Sequence, residues 1–74
     1  MRFIGGTAPC IFNAANEIAV AAFLAGKIKF LQIYEVIENA LNSRAVIKNP
    51  SLEILLQEDK IVRNLSEKFL KNIA

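Results

Sequence analysis

The stretch Thr7-Ala8-Pro9-Cys10-Ile11-Phe12-Asn13-Ala14-Ala15-Asn16-Glu17-Ile18-Ala19-Val20-Ala21-Ala22-Phe23-Leu24-Ala25-Gly26 decides the fold class. The alanines at positions 14, 15, 19, 21, 22 and 25 are strong helix formers. Thr7 stands where an N-cap belongs, and Pro9 suits a first turn in which its missing N–H would be unpaired anyway. Gly26 supplies the left-handed residue that commonly ends a helix. The reading predicts a helix over residues 8–25. Ile11, Ala15, Ile18 and Ala22 form one apolar row, and Phe12, Ala19 and Phe23 a neighbouring one. Asn13, Asn16 and Glu17 gather on the opposite side, which turns apolar again at Val20 and Leu24. A helix apolar nearly all round in its second half is expected at the centre of a bundle.

Working outward, residues 27–30 read as a short extended connection in which Ile28 and Phe30 point the same way. A second helix follows over 31–42. Ile33, Val36, Ile37, Ala40 and Leu41 lie on its apolar face, with Glu35, Glu38, Asn39 and Asn42 opposite. Residues 43–50 form a loop, because no period persists there and Pro50 biases Asn49 away from helical geometry. Ser51 suits the cap of a short helical turn over 52–56. Glu58-Asp59 then opens a last helix running to Asn72, closed by Lys68 and Lys71 as the helix dipole favours. Its buried face is expected to be Val62, Leu65, Phe69 and Ile73, helped by Ile61 and Leu70. The fold class is therefore all-α, a small bundle of three main helices plus a short helical turn, with residues 1–74 as one domain.

Composition bounds what such a bundle does. A chain of 74 residues hides only about 60% of its unfolded surface on folding. Yet 54% of its residues are hydrophobic, and its mean hydropathy is +0.36. That is more apolar material than so small a body encloses, so part of it is expected to face a partner or the rest of a larger protein. The net charge of +2 comes from basic residues scattered between Arg2 and Lys71, without the dense cluster that phosphate binding needs. Nucleic acid is not an expected partner. The longest uncharged apolar run, Ile18 to Ala25, is eight residues against the roughly 20 that cross a bilayer. Gly5-Gly6 follows Met1-Arg2-Phe3-Ile4 too soon for the apolar core of a signal peptide. A cytoplasmic chain with no membrane partner is the expectation.

The chemical inventory is short. With one cysteine and no histidine, neither an internal disulfide nor a zinc site of Cys/His type can form. Cys10 sits where a helix dipole lowers a thiol's pKa, but no histidine can serve as its base, so it reads as a small buried residue. Gly5-Gly6 lacks the glycine pattern of a phosphate loop and reads as a hinge. Glu35 and Glu38 belong to a solvated face. Asn13, Asn16 and Glu17 together offer one carboxylate and two amides, too little charge for a cation site. Buried side-chain hydrogen bonds that fix the helix against its neighbours are the expectation.

The residues Gly5-Gly6-Thr7-Ala8-Pro9, then Asn13-Ala14-Ala15-Asn16-Glu17 and Ala19-Val20-Ala21-Ala22-Phe23-Leu24-Ala25-Gly26-Lys27-Ile28, resemble the C-terminal segment of the 1-deoxy-D-xylulose 5-phosphate reductoisomerase family. The likeness is dense from position 5 to 41. It continues more loosely through Ser51-Leu52-Glu53 and Glu58-Asp59. Two departures stand out: Phe30-Leu31-Gln32-Ile33 lacks the family's Thr or Asp cap, and Lys60-Ile61-Val62 stands where alanines are usual.

The resemblance implies a parent enzyme that converts 1-deoxy-D-xylulose 5-phosphate into 2-C-methyl-D-erythritol 4-phosphate on the non-mevalonate route to isoprenoids. It implies NADPH and a divalent metal, Mg or Mn, as the parent's cofactors. It also implies that this chain is the helical bundle closing that parent, with the remaining domains as its partners. The family's catalytic, cofactor-binding and metal-binding residues belong to upstream parts, so none is carried onto this chain and the chain alone is not expected to catalyse. What carries over is the motif Asn13, Asn16 and Glu17, in a packing or docking role. The alternative is a stand-alone helical interaction module or homo-oligomer joined through the surplus apolar face of the first helix.

Overall fold

The first helix, α1 (Ala8–Leu24), begins at Pro9's turn and ends at Gly26, whose φ is +77°. The end is a Schellman motif: Gly26 N–H donates to the Phe23 carbonyl and Lys27 N–H to the Ala22 carbonyl, each at 2.9 Å. Among residues 6–73, which the computed structural model describes, the other helices are α2 (Phe30–Ser43) and α3 (Leu52–Ile73). The three form an all-α bundle.

Thr7 holds the N-cap position of α1, but its hydroxyl does not cap the helix. It is fully buried and accepts a hydrogen bond from the Ile47 N–H at 2.9 Å, while Thr7 N–H donates to the Ile47 carbonyl at 3.0 Å. The loop after α2 brings unpaired backbone groups against a buried hydroxyl, and buried polar groups are hydrogen-bonded wherever a partner is in reach.

α2 begins at Phe30, so Phe30 is helical and 58% exposed while Ile28 is buried at 7%. The two do not point the same way, because the two-residue alternation of extended chain has already given way to a helical turn. Gln32 takes over from the missing Thr or Asp. Its Oε1 accepts the Lys29 N–H at 2.7 Å, which is half of a capping box.

α3 is one continuous helix of 22 residues, and the turn expected over 52–56 is its beginning. Neither glycine nor proline lies between Leu56 and Asp59 to break it. Ser51 Oγ accepts the Ile54 N–H at 3.4 Å, a long version of the expected cap.

Cys10 meets Leu55, Glu17 meets Arg63, and Ala22 lies near Leu70, so α1 and α3 run parallel with α2 antiparallel between them in the chain. The core is Ile11, Ala14, Ala15, Ala19 and Ala22 of α1, then Ile28, with Ile33, Val36, Ile37 and Ala40 of α2 and Val62 of α3. Leu65, Phe69, Leu70 and Ile73 are partly buried against it, as are Val20 and Phe23. Alanines dominate α1's buried face, which lets the helices approach closely.

Several apolar residues lie outside this core. Leu24 is 77% exposed and Ala21 is also exposed, so the second half of α1 is buried on one side rather than all round. Phe12, Leu41 and Ile61, each expected in an apolar row, are exposed at the flanks of their helices. Among the described residues no helix is long and apolar enough to cross a membrane.

Candidate functional site

Asn13, Asn16 and Glu17 share the outer side of α1, as their spacing requires. Asn13 and Glu17 are exposed and Asn16 is half-buried, so the expected set of buried hydrogen bonds is absent among the described residues. The buried side of α1 is taken by alanines and isoleucines, which leaves the polar residues to the rim. Glu17 alone is tied down: Arg63 Nη2 donates to its Oε2 at 2.6 Å, and Arg63 Nε donates to Asp59 Oδ2 at 2.9 Å. These bonds, to Asp59 first and Glu17 second, raise the arginine's pKa above its ordinary value. The triad braces α1 against α3 at the surface, where screening leaves such pairs a small contribution.

A second ion pair is built differently. Glu58 of α3 is 3% exposed, and Arg44, the first residue after α2, grips its carboxylate with two donors. Nε donates to Oε2 at 3.2 Å and Nη2 donates to Oε1. The hydrogen bonds to Glu58 raise the Arg44 pKa. By position in the sequence alone, Glu58 reads as the acidic opening of a helix. The available signal was an arginine just past a helix end with a buried-phase carboxylate downstream, four residues before Val62 on the same α3 face.

The pair anchors the loop 44–51. That loop carries Ile47, which clasps Thr7, and Pro50, which is fully buried. It also presses on Gly6. A Cβ there would lie 2.7 Å from the Ile47 carbonyl oxygen, and the residue's φ is +71°, so both space and backbone demand glycine. Asn49, at φ +50°, takes the left-handed turn that precedes Pro50.

Cys10 is partly buried, and its thiol donates to the Leu55 carbonyl at 3.4 Å. Burial raises its pKa first, and the charges of Asp59 and Glu58 add to that against a smaller pull from Arg63. The shift runs opposite to the lowering that activates a thiol, and Cys10 is half-buried where the sequence suggested a buried residue.

At the far end, Phe23, Phe30 and Tyr34 form an edge-to-face ladder with ring centroids 5.7 and 6.2 Å apart. Leu24 and Leu31 beside them in the chain are exposed at 77% and 73%. Between α1 and α3 runs an open groove of about 500 Å³ with Ile18, Ala21, Ala25 and Leu70 on its walls and Lys27, Glu67 and Lys71 at its rim. Glycine-rich phosphate-cradling sequence is lacking around it. Among the described residues no group of three or more His, Cys, Asp or Glu stands ready for a metal ion. Glu17, Glu58 and Asp59 are each held by an arginine instead. Among the described residues these carboxylates are committed to arginines and do not fit a metal.

Against this geometry stand the comparisons. Residues 2–65 match the family described as the DXP reductoisomerase C-terminal domain. The chain is 54% identical over 67 residues to a 1-deoxy-D-xylulose 5-phosphate reductoisomerase of Bacillus pumilus, covering 90% of this chain and 18% of that protein. It is similar to the reductoisomerase of Desulforamulus reducens at 48% over 69 residues, 93% of this chain and 18% of that protein. It is 57% identical over 60 residues to the Bacillus subtilis reductoisomerase, 81% of this chain and 16% of that protein. The chain thus spans less than a fifth of the curated relatives it matches.

Proposed function

The chain belongs to the DXP reductoisomerase C-terminal domain family, and we propose that it is the closing helical bundle of an enzyme that converts 1-deoxy-D-xylulose 5-phosphate into 2-C-methyl-D-erythritol 4-phosphate. NADPH and a divalent metal, Mg or Mn, serve that parent and are held outside this chain. The bundle's own work is mechanical. It braces the catalytic part, where a displacement of about 1 Å costs on the order of a hundredfold in rate. A cytoplasmic place in isoprenoid biosynthesis goes with this reading.

One observation carries the proposal: 54% identity over 67 residues to a reductoisomerase, of which those residues are 18%. The site agrees with it. Glu58 is paired with Arg44, and Glu17 and Asp59 with Arg63, which suits a bundle that works through its surfaces. We assign Asn13, Asn16 and Glu17 to docking. The two amides have hydrogen-bonding capacity at the outer side of α1, and Arg63 holds Glu17 in one orientation beside them.

The test is an assay of the full-length protein with 1-deoxy-D-xylulose 5-phosphate, NADPH and Mg or Mn, beside a version ending before Thr7. The expected result is turnover by the first and none by the second. Equal turnover would remove the bracing role. The exposed corner of Leu24, Phe30, Leu31 and Tyr34 favours a second reading, a stand-alone dimerisation module. An immunoblot of the source cells separates the two, since that reading requires a native polypeptide of 8.2 kDa.

A further inference from the structure

The end of the bundle where α1 and α3 begin combines three features. The first is rigidity: Arg44 and Glu58 hold the loop 44–51, and that loop holds Thr7 through two bonds to Ile47. The second is apolar exposure. Val46 and Ile47 of the loop are 51% and 39% exposed, and Leu52 and Leu56 in the first two turns of α3 are 55% and 61% exposed. Such side chains gain nothing from solvent, and so many at one end mark a contact surface. The third is connectivity. Gly6, the first described residue, lies at this end against the Ile47 carbonyl.

From these we infer that this end is the seat on which the preceding part of the parent docks, with Val46, Ile47, Leu52 and Leu56 as its apolar contacts and the Arg44–Glu58 pair setting its angle. The inference rests on the reading above and names the surface that reading needs. The occupant follows from chain length and family. The relatives are more than five times longer than the matched segment, and the matched family is a C-terminal domain, so in the proposed parent the remaining polypeptide stands before this segment. A surface at the point of covalent connection is at high effective concentration for that polypeptide and needs little intrinsic affinity. The aromatic corner, by contrast, lies at the other end of α1, about 25 Å away at the rise of a 17-residue helix.

The experiment uses the full-length protein and two double variants, all four positions being exposed so that the bundle's core is untouched. Val46→Ser with Leu56→Ser removes the proposed seat; Leu24→Ser with Leu31→Ser removes apolar surface at the opposite end. The seat variant is expected to lower the melting temperature by several degrees and kcat/KM by about tenfold or more. The opposite pair is expected to shift neither. A full effect from the opposite pair with none from the seat pair overturns the inference and leaves the parent reading intact. Absence of reductoisomerase turnover in the unmodified protein overturns the parent reading instead, and the melting comparison then still decides whether the seat is occupied.

Discussion

Where α1 and α3 begin, Thr7, Ile47, Arg44 and Glu58 hold one another through directional bonds; at the opposite end Phe23, Phe30 and Tyr34 meet edge to face beside an open groove. Directional bonds fix angle as well as distance, whereas ring contacts and alanine packing tolerate small slides. The difference teaches that orientation is specified most tightly at the end where α1 and α3 begin. The proposed bracing role asks for a mounting defined more tightly than the far corner.

The sharpest way to break this contrast is Arg44→Ala. It strands a carboxylate that is 3% exposed, and the expected cost is about 3 kcal/mol in chemical denaturation, typical of a buried pair deprived of one partner. A loss under a third of that would mean that the clasp is ornamental. Phe23→Ala probes the other end. A fully buried phenylalanine would cost 3–5 kcal/mol by the usual range. Phe23 is only partly buried, and about 2 kcal/mol is expected from the same measurement.

Between the ends, Ser66 is fully buried, and among the described residues its hydroxyl has no hydrogen-bond partner. Ser66→Ala is therefore expected to stabilise the bundle by about 1 kcal/mol, read as a higher denaturation midpoint. The smallest effect concerns Cys10. Its folded pKa lies above the ordinary thiol value of 9.0, so the folded state resists losing that proton. The associated stability is complete below the ordinary value and is lost as pH rises through the raised one. A denaturation series from pH 8 upward should show this slope, and Cys10→Ala should remove it.

How much of this could be read in the sequence depends on how local each feature is. The ends of α1 were legible in Pro9 and Gly26, and the buried stripe of α2 in Ile33, Val36, Ile37 and Ala40, because those signals sit within a turn or two of what they decide. The continuity of α3 was not. Glu58-Asp59 has the look of a helix start, and only the pairing of Glu58 with Arg44 explains an acid there in mid-helix. Asn13, Asn16 and Glu17 were legible as one face, but the exposure of Asn13 and Glu17 was not, since alanines fill most of the buried side of α1. The Arg63–Glu17 pair was out of reach for the same reason as Thr7–Ile47. Each spans at least 40 residues of chain, and residue spacing encodes only the local Asp59–Arg63 pair, four apart on α3.

Those long separations also have a kinetic meaning. Contacts between α1 and α2 close over a short turn at Gly26, whereas Thr7–Ile47, Cys10–Leu55 and Glu17–Arg63 span 40, 45 and 46 residues. Loop-closure entropy grows with span, so the hairpin of α1 and α2 is the natural nucleus and the parallel docking of α3 comes after it. The Arg44–Glu58 clasp spans only 14 residues but needs α3 in place, so it is expected to shut behind the folding barrier. Stopped-flow traces of Arg44→Ala should show unfolding accelerated and refolding unchanged, so that the clasp sets how long the bundle stays closed rather than how fast it forms.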